Sequence, residues 1–160
     1  DIMEANQFAW HSTLHTSHDH IGKGSGYGGG STDNGPRDWT SQQYAPGGSC
    51  INTDLPFEVA VSFPMDLMGG LAAMEVILTQ QGKSCPLVAR VKDYVGMAEL
   101  AQALSAGMTP VFSYWSSDDM LWMDGLGTDG KGPCHADDAS ACSASVQFYG
   151  FSVAEIGQPA

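Results

Sequence analysis

Apolar and polar residues alternate along much of the chain, in short runs that turn residues interrupt. Phe57, Val59, Val61 and Phe63 stand at every second position with Glu58, Ala60 and Ser62 between them, the period of a strand with one face covered. Pro64 stops that run. Two further extended runs, 73–80 and 85–92, flank Gln81-Gly82-Lys83-Ser84 and predict a hairpin. The period becomes helical once, where Met97, Leu100, Ala101 and Leu104 recur and Gly107 follows as a C-terminal cap, so a helix is expected over 96–106. Strands are expected again over 109–115 and 120–124, and a last one over 144–151 that continues towards Ile156. The first fifteen residues predict two more, one bearing Asp1 and Glu4 and one bearing Trp10, His11, Leu14 and His15. Roughly seven strands and one helix suit a sandwich of two antiparallel sheets.

Residues 16–49 show no period and include Gly22, Gly24, Gly26 and the run Gly28-Gly29-Gly30. A connection of that length is expected to be a functional loop, here one draped over a binding cleft. Lys23-Gly24-Ser25-Gly26 lacks the Walker spacing and is not a phosphate loop.

Composition narrows the class. A chain of 160 residues has room for one domain with a sizeable core, and 20 Gly, 8 Pro and 15% charged residues favour an all-β chain of short elements. Six basic residues against eighteen acidic ones leave a net charge of −12, which repels nucleic acid but presents no barrier to a neutral polymer such as a polysaccharide. Cys50, Cys85, Cys134 and Cys142 allow three pairings without Cys-x-x-Cys spacing. A secreted, extracellular or lumenal setting is expected from them. The apolar stretch 55–78 is broken by Glu58, Pro64, Asp66 and Glu75, so no membrane span is expected. The chain starts without Met inside a strand pattern, as a processed or excised piece would.

The candidate chemistry lies at the start. Asp1 and Glu4 are an odd number of positions apart, so a regular strand would point them to opposite faces. A bulge at Ile2 or Met3 would return both to one face, and two carboxylates on one concave sheet are what glycosidic bond cleavage requires. The plainer reading is a solvated strand end. His11, His15, His18 and His20 lie within ten residues, but strand and loop geometry does not gather them, and neither a metal nor a cofactor is expected.

Asp1-Ile2-Met3-Glu4-Ala5-Asn6, with His15 eleven positions after Glu4, resembles the catalytic strand of glycoside hydrolase family 7, the cellulases. Gly96-Met97, Ser105-Ala106-Gly107-Met108, Val111-Phe112-Ser113-Tyr114-Trp115, Met120-Leu121-Trp122-Met123-Asp124-Gly125 and Gly132-Pro133-Cys134 are similar to later blocks of that family, in its order. The resemblance implies a concanavalin-like jelly roll that cleaves β-1,4-glucan with retention, of which residues 1–160 form the C-terminal part. It implies Glu4 as general acid and base, Asp1 as the carboxylate that tunes the nucleophile, and His15 as the residue beside the acid and base. Trp115 and Trp122 are implied as sugar-stacking platforms, and Lys131 stands where many members carry an Arg on sugar hydroxyls. The nucleophilic Glu is implied two residues before Asp1, so the chain as given is expected to be inert. It needs a preceding half-domain or a completing partner chain. Cys134 is implied to bond to a Cys of that first half, leaving Cys142 free or locally paired.

Two other classes are weighed against this one. An inactive glucan-binding or structural sandwich would keep the fold and lack the upstream Glu. Glycoside hydrolase family 16 would account for Asp1 to Glu4 but not for the blocks between Met97 and Asp124.

Overall fold

The computed structural model describes residues 1–27, 38–125, 132, 134–141 and 145–155. In chain order the elements are β1 (Glu4–Ala5), β2 (Trp10–Thr16), β3 (Asp19–Tyr27), β4 (Tyr44–Ala45), β5 (Ile51–Asn52), β6 (Glu58–Ser62), β7 (Ala73–Thr79), β8 (Leu87–Lys92), α1 (Met97–Ala106) and α2 (Leu121–Asp124), with a 3-10 turn at Ala139–Ala141. Two antiparallel three-stranded sheets, β1-β2-β3 and β6-β7-β8, accompany a small parallel pair, β4-β5. The chain is an all-β sandwich fragment, as its strand pattern predicts.

Alternation decides which face each strand buries. Leu87, Ala89 and Val91 of β8 are buried while Val88, Arg90 and Lys92 face out, and Met74, Val76 and Leu78 of β7 bury the same side. Trp10 and Leu14 of β2 join them in one apolar cluster with Trp39, Tyr44 and Ile51. Each buried side chain of this size contributes roughly 1.5–3 kcal/mol relative to exposure. Gln80 supplies the polar join at the end of β7. Its amide donates to the carbonyls of Asn52, Leu55 and Pro56 and accepts from the Asn52 N–H at 2.8 Å, so the loop before β6 has its backbone groups satisfied.

The four thiols settle one pairing: Cys50 bonds Cys85 across a separation of 35 residues, while Cys134 is free. Cys142 lies outside the described residues. Replacing Cys50 and Cys85 together by Ser is expected to lower stability by about 3 kcal/mol, measured as a shift of the urea midpoint. An unchanged midpoint would mean that Gln80, together with the Lys83 ammonium on the Gly48 carbonyl at 2.9 Å, holds this corner alone.

The structure corrects three expectations. Residues 19–27 form a nine-residue strand, not part of a long loop; Gly22, Gly24 and Gly26 occupy alternate positions, so the strand carries no apolar period although it pairs with β2 from Lys23 to Tyr27 and, past a register shift, at Asp19. The rest of that loop expectation falls partly on 28–37, outside the described residues. Residues 120–124 hold the short helix α2, capped by Met120, and not a strand, because the Asp137 carboxylate accepts the Met120 and Leu121 N–H groups at 2.6 and 3.1 Å and stabilises a first turn. Neither 109–115 nor 145–155 is a strand. Their apolar residues meet each other, Phe112 lying 5.8 Å from Phe148 and 6.4 Å from Phe151, but a strand needs a hydrogen-bonded neighbour, and they have no ladder partner among the described residues. No helix among the described residues is long and apolar enough to cross a membrane.

Candidate active site

Backbone register brings the two carboxylates together. Thr13 N–H donates to the Asp1 carbonyl at 2.8 Å and the Asp1 amino group donates to the Thr13 carbonyl at 2.5 Å, while Glu4 pairs with His11. Between these pairs the first strand has two residues, Ile2 and Met3, against the single Ser12 of β2. That is a β-bulge. Thr13 and His11 are two positions apart and share a face, so Asp1 and Glu4 opposite them share it too. The Ser12 hydroxyl donates to the Ile2 carbonyl at 2.8 Å and satisfies the bulge from the core side.

His15 stands two positions beyond Thr13 on the same face, and its Nε2 lies 3.1 Å from Asp1 Oδ2. The family resemblance implies His15 beside Glu4; its described partner is Asp1. Across β2, Gly26 lies opposite His11 and Gly24 opposite Thr13, so β3 adds no side chain to this part of the acid face. Gly22 is held at φ +70°, and a Cβ there would come within 2.2 Å of the Leu14 carbonyl and 2.7 Å of His15 Nδ1. Only glycine leaves that imidazole in place. Nearby, Asp19 accepts the Gly22 and Ile21 amides and the Tyr94 hydroxyl. The Gly22 amide first and then the Tyr94 hydroxyl hold its carboxyl below the usual range, with smaller help from His15.

α2 supplies the other wall. His11 is buried, its Nε2 3.2 Å from the Met123 carbonyl and its ring edge-on to Trp122 at 5.9 Å. Trp122 therefore stands by the acid face, next to the residue paired with Glu4. The buried Asp124 accepts the Asn6 amide at 2.6 Å, and the Cys134 N–H reaches the Asp124 carbonyl at 3.1 Å. Trp115 is half-exposed on the segment before α2, and no hydrogen bond or ring contact ties it to the acid face among the described residues. Lys131 lies outside them. The Asn6–Asp124 and Asp19–Tyr94 contacts escape a sequence reading, although Asn6 just after a short strand is a recognisable turn signal.

Burial first, then the hydrogen bond to Asp124 and the charges of Asp124 and Asp137, push the Cys134 thiol from 9.0 up to about 11. A raised thiol stabilises the fold while protonated, fully so below the ordinary thiol value, and the contribution is lost as pH rises through about 11. Alkylation of Cys134 at neutral pH is expected to be about 100-fold slower than that of an ordinary thiol. A reactivity profile rising through the ordinary thiol range would contradict this.

No protein-family model matches the chain. It is similar to two curated fungal proteins, each named "Probable endo-beta-1,4-glucanase celB". With the one from Neosartorya fischeri it is 32% identical over 114 residues, 62% of this chain and 28% of that protein. With the one from Aspergillus fumigatus it is 51% identical over 39 residues, 24% of this chain and 9% of that protein. The chain thus spans less than a third of the length of either relative. No solved structure matches it.

Proposed function

We propose that this chain is the C-terminal part of a retaining glycoside hydrolase of the family 7 type, which cleaves β-1,4-glucan. The observation that carries the reading is the bulge at Ile2 and Met3, which turns Asp1 and Glu4 to one face with His15. The similarity to proteins named as endo-β-1,4-glucanases supports the same substrate.

In this reading Glu4 protonates the departing glycosidic oxygen and later takes a proton from the attacking water. The nucleophile is a Glu two residues before Asp1 in the longer polypeptide, about 5 Å from the acid, as retention requires. Asp1 orients that nucleophile. The imidazole N–H of His15 holds the Asp1 carboxylate in its rotamer, so His15 serves the nucleophile's side of the site through Asp1. Trp122 offers an aromatic face to a glucose ring beside Glu4, and Trp115 and Lys131 extend the contact along the glucan. The Cys50–Cys85 disulfide supports a secreted protein.

The test is hydrolysis of a soluble β-1,4-glucan by the full-length protein, with product anomers followed by NMR. β-Anomer as the first product is expected. No hydrolysis, or α-anomer first, overturns the reading.

A further inference from the structure

We propose that Asn6 and Asp124 form a positioning clamp that fixes Trp122 beside the carboxylates; this rests on the reading of Trp122 as a sugar platform. α2 has four residues, too few to persist by its own hydrogen bonds. The segment leading into it, 108–115, is exposed and outside both sheets. The place of Trp122 is therefore set by what the turn meets: His11 against its middle, on the Met123 carbonyl and the Trp122 ring, and the groups that grip its two ends. Asp137 holds the first end.

The second end is held from the acid strand itself. Asn6 lies two residues after Glu4, and its Oδ1 accepts the Phe8 and Ala9 amides at 2.8 and 2.9 Å. The Tyr44 hydroxyl donates to its carbonyl at 2.9 Å. Those bonds fix the amide plane and leave Nδ2 aimed at Asp124 Oδ2, 2.6 Å away. Asp124 is 6% exposed, so its carboxylate is stable there only with donors supplied; Asn6 is one and the Cys134 thiol another. A few bonds thus tie the backbone that carries Glu4 to the turn that carries Trp122, which keeps platform and acid in register. Asn6 and Asp124 touch no substrate and act through Trp122.

The experiment is a swap. Asn6→Asp keeps an oxygen for the Phe8 and Ala9 amides and replaces only the donor that faces Asp124, setting two carboxylates against each other. Asp124→Asn in that background restores a donor–acceptor pair with the roles exchanged. The affinity of the full-length protein for a thio-linked, non-hydrolysable cello-oligosaccharide, by calorimetry at neutral pH, is expected to fall about tenfold in Trp122→Ala and about fivefold in Asn6→Asp. It is expected to recover in the swap, and Asn6→Asp should add nothing in the Trp122→Ala background. The clamp is overturned if Asn6→Asp weakens binding equally with and without Trp122, or if the swap restores the melting temperature but not the affinity. If Trp122→Ala leaves affinity unchanged, the platform reading fails and the clamp with it, an outcome distinct from failure of the clamp alone.

Discussion

Replacing Glu4 by Gln in the full-length protein is expected to lower the rate of β-1,4-glucan hydrolysis by at least about 100-fold. The substitution keeps shape and hydrogen-bond reach but removes the proton that a sugar leaving group needs. The bulge is held by the backbone bonds of Asp1 with Thr13 and by the Ser12 hydroxyl on Ile2, none of which uses the Glu4 side chain, so the fold should survive. The loss should depend on the leaving group. An aryl glycoside whose phenol departs without protonation should retain much of its glycosylation rate, and added azide should speed turnover by capturing the glycosyl–enzyme. Equal loss on both substrates, with no effect of azide, would remove Glu4 from the acid and base role, and no loss on either would return it to a solvated strand end.

Trp10→Ala is expected to cost about 4 kcal/mol of stability, seen as an earlier urea midpoint. Trp10 is fully buried, with its ring centre 6.3 Å from those of Trp39 and Tyr44 and 6.5 Å from that of Phe57, so truncation opens a cavity between rigid rings. The loss should extend beyond the cavity. Trp10 Nε1–H donates to the Ser12 hydroxyl at 2.8 Å, and that hydroxyl donates to the Ile2 carbonyl inside the bulge. Trp10→Phe, which keeps most of the volume but not the donor, is expected to cost about 1–2 kcal/mol and to loosen the bulge, with faster amide exchange at Thr13 as the readout. A cost below about 1 kcal/mol for Trp10→Ala would show that the core re-closes without it.

These predictions rest unequally on sequence. The position of β6, the period of β7 and β8, the hairpin turn between the last two and the Gly107 stop of α1 are local properties of the chain, and they hold in the structure within a residue or two. The covered face expected of β6 holds only in part, since Phe57, Val61 and Phe63 are half-buried against the core while Val59 is exposed. The possibility of the bulge was readable as well, because an odd spacing between two acids can serve one face only if a residue is extruded. Its occurrence was not. It depends on which carbonyl Thr13 finds across the sheet, and pairing partners far apart in sequence leave no trace in local periodicity.

Where local pattern and partner disagreed, the partner prevailed. β3 has no apolar period and is a strand because β2 supplies its ladder; residues 109–115 and 145–155 have the period and are not strands, since no neighbour among the described residues completes theirs. α2 contains strand-like alternation but turns helical under the Asp137 carboxylate. By itself, then, the sequence determined the all-β class, the buried faces of β7 and β8 and the acidic, aromatic chemistry at hand. Tertiary structure alone decided that Asp1 is held by His15, that Trp122 stands by His11, and that Asn6 grips Asp124, because each joins groups whose meeting depends on hydrogen bonds across strands and not on the residues beside them in the chain.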